Sequence, residues 1–233
     1  MSAELRARVL AAVAAESSPT RAAITRRATW ISVAAAASAV GVFVICSMLM
    51  SDGHLVSLGG EVAHGQRVVR PVWLVLATVA GALAVAVTAV WLALSRGPSM
   101  LGRSRGWLLC GVVLIPISLF AWKVLCSNMA SGDALIPWPT RPGLRCLSLS
   151  LLVAVGPLVA FLAIRRAAPV PVHPALNGAV LGFAAGACAW VAVDLWCPVA
   201  SVSHLLLGHV LPLFVLAGVG ALLGQALLSL RRR

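Results

Sequence analysis

The chain has 233 residues, of which 61% are hydrophobic and only 10% are charged, and its formal net charge is +12. A water-soluble domain normally carries about 25% charged residues, so this composition excludes an ordinary soluble fold. It instead predicts a protein that crosses a bilayer several times.

Residues 1–29 form the only sizeable stretch without a long apolar run, and we predict a cytoplasmic N-terminal tail here. Ser2 can cap a short helix that Pro19 ends. One face of this helix is apolar and is predicted to bind a partner; it comprises Leu5, Val9, Leu10 and Val13. An amphipathic helix of this kind can bind in a groove of another protein or lie on the inner leaflet. A weakly ordered tail is the third interpretation.

Six later stretches are apolar enough and long enough to span a bilayer, which takes about 20 residues. They run at about 30–50, 71–95, 106–126, 146–164, 175–196 and 204–230. Only helices and closed barrels satisfy backbone polar groups in lipid, and these runs are too long for barrel strands. The predicted fold is therefore all-α, with six transmembrane helices over residues 30–230. The first is expected to be a retained helix, because a signal peptide would begin its apolar core earlier and be shorter.

The arginines predict the orientation of these helices. Five lie in the tail, three between the second and third stretches, two between the fourth and fifth, and three at the basic end, 231–233. Only four fall on the opposite side. Because cytoplasmic loops carry the excess of basic residues, we predict both termini in the cytoplasm of a bacterium. The net charge then suits anionic lipid headgroups and requires no direct contact with nucleic acid.

The fifth stretch has a glycine at every fourth position, and these small residues share one helix face: Gly178, Gly182 and Gly186. Such a face lets two helix backbones approach closely in a membrane. We predict packing within the chain, with homodimerisation through the same face as the alternative. Three prolines inside predicted helices are expected to kink them: Pro116, Pro157 and Pro212.

Four of the six cysteines map near the predicted outer ends of the helices: Cys46, Cys126, Cys146 and Cys197. In a periplasm such thiols can form a disulfide, and they can also bind a soft metal ion. The spacing favours neither, since the chain has no C-x-x-C. The predicted hairpin of the fourth and fifth helices would nevertheless return Cys197 to the membrane face of Cys146. Cys110 and Cys188 are expected to act as small hydrophobic residues.

His204 and His209 are further candidate ligands near Cys197. An α-helix rotates by about 140° over five residues, so we predict that the two imidazoles do not share a face. One of them joining a site with Cys197 is favoured over both doing so. Asp194 is expected to be an interfacial charge. The candidate metal ligands are therefore Cys126, Cys146, Cys197, His204 and His209.

Motifs of membrane enzymes are missing from the sequence. It has no Gly-x-Ser-x-Gly, no His-Glu-x-x-His, no Walker A lysine and no paired intramembrane carboxylates. We therefore predict no enzymatic activity and no cofactor beyond a heavy-metal ion acting as a signal. The helix centres are also nearly free of ionisable groups, which weakens the prediction of ion-coupled transport.

The C-terminal half carries an ordered set of features. In chain order they are Cys146, Pro157, the basic loop 165–169, the three glycines of the fifth stretch, the Cys-Pro pair 197–198 and the Leu-Gly pair 223–224. This order resembles the NrsF-like family of bacterial inner-membrane anti-sigma factors, the negative regulators of a sigma factor. The resemblance covers residues 140–233 well and the first half only in architecture.

The resemblance implies a mechanism of transcription regulation in a stress response. The tail would hold an extracytoplasmic-function sigma factor at the membrane, and a periplasmic metal or redox signal at Cys146 and Cys197 would release it. Members of the family carry a His before the second cysteine, where this chain has Trp196, so His204 or His209 is expected to replace that ligand. A small metal or solute transporter is the alternative function. A thiol oxidoreductase is less favoured because the C-x-x-C is absent.

Overall fold

The computed structural model describes residues 61–63, 66–68, 72–94, 104–129, 143–167, 171–197 and 202–229, together with isolated positions between 4 and 44. Five long helices dominate these ranges: α1 (Val72–Leu94), α2 (Arg105–Met129), α3 (Leu144–Ala167), α4 (Pro174–Trp196) and α5 (Val202–Ser229). Each is long and apolar enough to cross a membrane. Their ends lie within three residues of the last five predicted stretches. The prediction of a helical protein whose helices are long and apolar enough to cross a membrane is confirmed for this part of the chain.

The N-terminal predictions fall mainly on residues that are not described. The apolar face of the tail (Leu5, Val9, Leu10 and Val13), Cys46 and the basic end 231–233 lie outside the described residues. Of the first predicted stretch, 30–50, only isolated helical positions such as Trp30 and Val40 are described. In the tail, Glu4 and Arg8 are helical, exposed and paired at 3.1 Å, one helical turn apart. Six crossings and cytoplasmic termini stay predictions.

A small antiparallel ribbon precedes α1 and was not predicted. Its strands are β1 (Glu61–Ala63) and β2 (Gln66–Val68), and Glu61 pairs with Val68. Strands of three residues are too short to show the alternation that identifies a strand in sequence. Only the glycine between them, in a connection of two residues, is a hairpin signal.

Helix α4 lies at the centre of the bundle and packs against each of the other four long helices. It is buried over most of its length, whereas less than half of each of the others is buried. Small residues alternate with large ones along its core, such as Ala184 beside Phe183. The outer helices instead expose large apolar side chains, including Leu83 and Trp91 on α1. In water such a surface would be unfavourable, but it suits contact with lipid.

The glycine face of α4 is turned toward α5 of the same chain. A Cβ on Gly178 would collide with the carbonyl of Gly220, and one on Gly182 would collide with the carbonyl of Leu216. Gly220 and Gly224 approach the backbone around Gly178 as closely from the other side. The two backbones therefore touch along a seam that only glycine allows. In the structure this face is used within the chain.

Candidate metal and thiol site

Three helix ends meet at one end of the bundle, which we call the cysteine end: the start of α3, the end of α4 and the start of α5. Cys146 lies in the first turn of α3. Cys197 directly follows α4, and its backbone N–H donates to the carbonyl of Val193 at 2.8 Å. Neither cysteine is in a disulfide, and both are buried. The antiparallel arrangement of α3 and α4 thus brings together two residues that are far apart in the sequence.

Helix α5 changes its winding beside these thiols. It is α-helical over Val202–Leu205, widens into a π-helical turn over Leu206–Val210, and is α-helical again from Leu211. In a π turn the backbone bonds span five residues, so residues five apart come to lie on one face. His204 and His209 do so, with ring centroids 5.6 Å apart. The prediction that these imidazoles face apart is wrong, because it assumed uninterrupted α-helical winding.

Pro212 explains why the π turn forms here. A proline has no N–H to donate to the carbonyl four residues earlier, and its ring crowds that carbonyl. The carbonyl concerned belongs to Gly208, inside the π turn. Its oxygen lies 3.5 Å from the hydroxyl of Ser150, a buried residue of α3. Pro212 was expected to kink its helix. In the structure the helix also widens into a π turn just before the proline, which adds one residue to that turn.

Two glycines let α3 approach the π turn. Gly143, directly before α3, has a φ of 70°, in the left-handed region that favours glycine. A Cβ on Gly143 would lie 3.1 Å from the backbone nitrogen of Gly208, and a Cβ on Gly208 would lie 3.0 Å from the Cβ of Cys146. This close backbone contact places Cys146 against the histidine pair. Sequence reasoning missed both glycines, although Pro-Gly at 142–143 was a signal of a turn.

Within the described residues, four side chains form one cluster of candidate ligands: Cys146, Cys197, His204 and His209. All four are buried, and their ligand atoms all lie within 4.8 Å of one another. The Sγ atom of Cys197 is 3.1 Å from Nε2 of His204. The ring of Trp190 packs against His209 at a tilt of 59°, with centroids 5.1 Å apart. Cys126, the fifth predicted ligand, is buried on α2 and does not belong to this cluster.

The environment of Cys197 favours its thiolate. A hydrogen bond with Cys146 holds the pKa of Cys197 well below its ordinary value, although burial acts in the opposite direction, and a hydrogen bond with His204 adds to the lowering. The thiolate is the form of cysteine that binds metals and that attacks disulfides or oxidants. The cluster can therefore bind a metal ion through sulfur and nitrogen, or it can form a disulfide between its two thiols.

A buried ion pair lies on α4 three residues before Cys197. Asp194 pairs with Lys123 of α2, and the two side chains are almost completely buried. The expectation that Asp194 is an interfacial charge is therefore wrong. Sequence patterns did not indicate the pair, because Lys123 belongs to a different helix and is distant from Asp194 in the chain.

A comparison with known protein families supplies the context of this site. A model of the family described as NrsF, negative regulator of sigma F, matches residues 13–229. The chain belongs to the NrsF family. The match includes the first half of the chain, where the sequence alone showed a likeness only in architecture. No curated protein and no solved structure matches the chain.

Membership of the NrsF family makes the chain a negative regulator of a sigma factor. This role is not enzymatic, and the partner that it requires is a sigma factor. The cluster at the cysteine end lies in the matched region, as do all five helices that are long and apolar enough to cross a membrane.

Proposed function

We propose that this NrsF-family protein is an anti-sigma factor of the bacterial inner membrane. Its N-terminal tail, residues 1–29, binds an extracytoplasmic-function sigma factor through Leu5, Val9, Leu10 and Val13 and keeps it from RNA polymerase. A periplasmic metal or redox signal is sensed by Cys146 and Cys197, and the resulting change in helix packing releases the sigma factor.

The meeting of Cys146 and Cys197 is the observation that carries this proposal. Each cysteine is at the end of a different helix, so any event that joins or separates them changes how α3 packs on α4. The two histidines of the cluster belong to α5, so the cluster joins all three helices. Metal binding or oxidation at the cluster can therefore favour one of two arrangements of these three membrane helices.

The distribution of charge supports the orientation. Arg165 and Arg166 lie in the last turn of α3, at the opposite end of that helix from Cys146. Arg105 begins α2, whose other end carries Lys123 near the cysteine end. If the arginine end faces the cytoplasm, as basic residues do in most membrane proteins, the cysteines face the periplasm.

Capture of the sigma factor tests the role of the tail. The full chain in detergent is expected to retain the sigma factor, whereas a chain lacking residues 2–29 is expected to lose it. A variant with Leu5, Val9 and Val13 changed to Ser should also lose it, while the exposed-charge variant Arg8→Gln should retain most of it. Equal retention by the tail-deleted chain would contradict the proposal.

A reporter gene driven by the released sigma factor tests the sensor. Cys146→Ser and Cys197→Ser are expected to abolish the response to cadmium or to a thiol oxidant. Cys110→Ser and Cys188→Ser are the matched controls, because neither residue belongs to the cluster, and both should respond as the natural chain does. Responses that persist in both Cys146→Ser and Cys197→Ser would make the pair structural.

A small metal or solute transporter is the second candidate, and the Lys123–Asp194 pair is the observation that favours it. Ionisable groups inside membrane helices often mark transport pathways. This function predicts metal uptake into vesicles that contain the purified chain, and its loss in Asp194→Asn. If the vesicles take up no metal and the chain still captures the sigma factor, the results favour the anti-sigma function over transport.

A further inference from the structure

The geometry points to Cys146, Cys197, His204 and His209 as a complete four-ligand site for one tetrahedral divalent ion of the zinc and cadmium class. The inference rests on the proposed function in one respect, because it names the chemical class of the signal at the same site.

The donor atoms are already almost close enough to share one ion. In a tetrahedral zinc site with Zn–S bonds of 2.3 Å and Zn–N bonds of 2.0 Å, ligand atoms lie about 3.3–3.8 Å apart. Here all four lie within 4.8 Å of one another, and Cys197 and His204 are already 3.1 Å apart. A contraction of about 1 Å at the longest edge would complete the coordination.

His209 has capacity for a further ligand. Its side chain is buried, and the contacts of its ring nitrogens within the described part of the chain fall outside normal hydrogen-bond geometry, although the imidazole favours the neighbouring Cys197 thiolate. Burying a polar group without a partner costs free energy, and such groups in natural proteins call for an explanation. A metal ion beside the neighbouring sulfur atoms would satisfy one of these nitrogens.

The π turn of α5 brings the two histidines to the two cysteines, so that the four side chains form one group. With α-helical winding throughout, only one of His204 and His209 could face the cysteines. The π turn brings both imidazoles to that side, and the contact of Gly143 with Gly208 holds Cys146 against them. π turns occur frequently at functional sites.

The charges of this ligand set select the class of ion. Two thiolates and two neutral imidazoles balance a divalent cation, so the occupied site is neutral, as a buried position requires. The nearby Lys123 and Asp194 compensate each other. Sulfur and nitrogen in tetrahedral order suit zinc-like ions, whereas magnesium and calcium take oxygen ligands. Binding would release the thiol protons to the solvent.

Titration with cobalt(II) tests the site in the purified full chain, reduced and in detergent. We expect one cobalt ion per chain, with the intense visible bands of tetrahedral cobalt and a thiolate charge-transfer band, both removed by added zinc or cadmium. His209→Ala should lower the affinity at least about tenfold, because even changes to groups that only orient a metal ligand cost this much. Cys146→Ser should weaken the charge-transfer band.

Matched controls are His173→Ala and Cys188→Ser, which should bind cobalt as the natural chain does. Absence of cobalt binding by the natural chain, or an undiminished affinity in both His209→Ala and Cys146→Ser, would overturn the site. The natural-chain titration decides the matter even if a variant fails to fold. Cobalt binding without a reporter response would retain the site and contradict the proposed sensor. A metal-dependent reporter response without cobalt binding would support the sensor and contradict the four-ligand site.

Discussion

At the scale of single residues, Pro212 shapes the cluster without being one of its ligands. It removes the N–H that would bond the carbonyl of Gly208, and the helix widens just before it. As a result, His204 lies beside His209. A residue that acts only through the backbone can therefore decide whether three or four candidate ligands come together in the cluster.

Pro212→Ala is expected to weaken metal binding although no ligand changes. Alanine restores a donor for the Gly208 carbonyl and favours regular α winding, which would turn His204 away from the cysteines. We expect cobalt affinity to fall by about 10–100-fold, the range that follows loss of groups that orient metal ligands. The matched control is Pro157→Ala on α3, which should leave affinity unchanged. Equal affinities in the two variants would show that proline does not maintain the π turn.

The residue types of the candidate ligands could be read from the sequence, but their joint geometry could not. Cysteines and histidines in an apolar chain are conspicuous, and the hairpin of α3 and α4 brought Cys146 and Cys197 together correctly. The mutual placement of His204 and His209 was wrong because π winding depends on a backbone conflict at Pro212. That conflict involves the tertiary contact with Ser150 and Gly143, which one-dimensional periodicity does not show.

At the scale of elements, α4 and α5 form one tightly packed pair. Their glycines remove side chains from the interface, so the backbones approach until carbonyl oxygens face α-carbons. Packing of this kind resists rotation of one helix against the other, because any rotation brings a bulky side chain into the seam. Movements at the cysteine end should therefore displace α3 more readily than they separate α4 from α5.

Gly182→Leu is expected to destabilise the bundle. The new side chain would meet the carbonyl of Leu216, and overpacking of a close interface typically costs about 1–3 kcal/mol. Thermal unfolding of the purified chain in detergent measures the effect. Gly218→Leu is the control on α5, because a Cβ there would meet no atom within 4 Å. If both variants unfold at the same temperature, the seam does not determine stability.

Sequence spacing identified the glycine face because a period of four matches the helix turn. It could not identify the partner helix, since any apolar helix with small residues is compatible with such a face. Homodimerisation was therefore left open. The contact with Gly220 and Gly224 of the same chain is a property of the assembled bundle.

At the scale of the whole molecule, the Lys123–Asp194 pair links α2 to the central helix near the cysteine end. Removing two charges from water is expensive, and their attraction repays this cost only while both are present. The pair therefore helps to place α2 against α4, as does the hydrogen bond from Nε1 of Trp122 to the carbonyl of Ala77 on the side of α1. No sequence pattern predicted the ion pair, because its two residues come from helices that are not adjacent in the chain.

Asp194→Asn is expected to lower the free energy of unfolding by about 3–5 kcal/mol, because it leaves a buried ammonium without its carboxylate. The double variant Lys123→Met with Asp194→Leu should recover most of the loss, since both charges are then absent. Unfolding in detergent measures all of them, with Arg166→Gln as an exposed-charge control. A double variant as unstable as the single one would show that packing, not charge, explains the effect.

The π turn has one more consequence, which concerns the phase of α5 as a whole. His209 and Gly220 are eleven residues apart, which is about three full α-helical turns, so both lie on the buried side of the helix. His204 would fall out of phase with them by about 140° in an unbroken helix and would point toward lipid. The extra residue of the π turn shifts the start of α5 back into register with the rest. The same buried side of the helix therefore carries the histidines of the cluster at its start and the glycines that contact α4 further along.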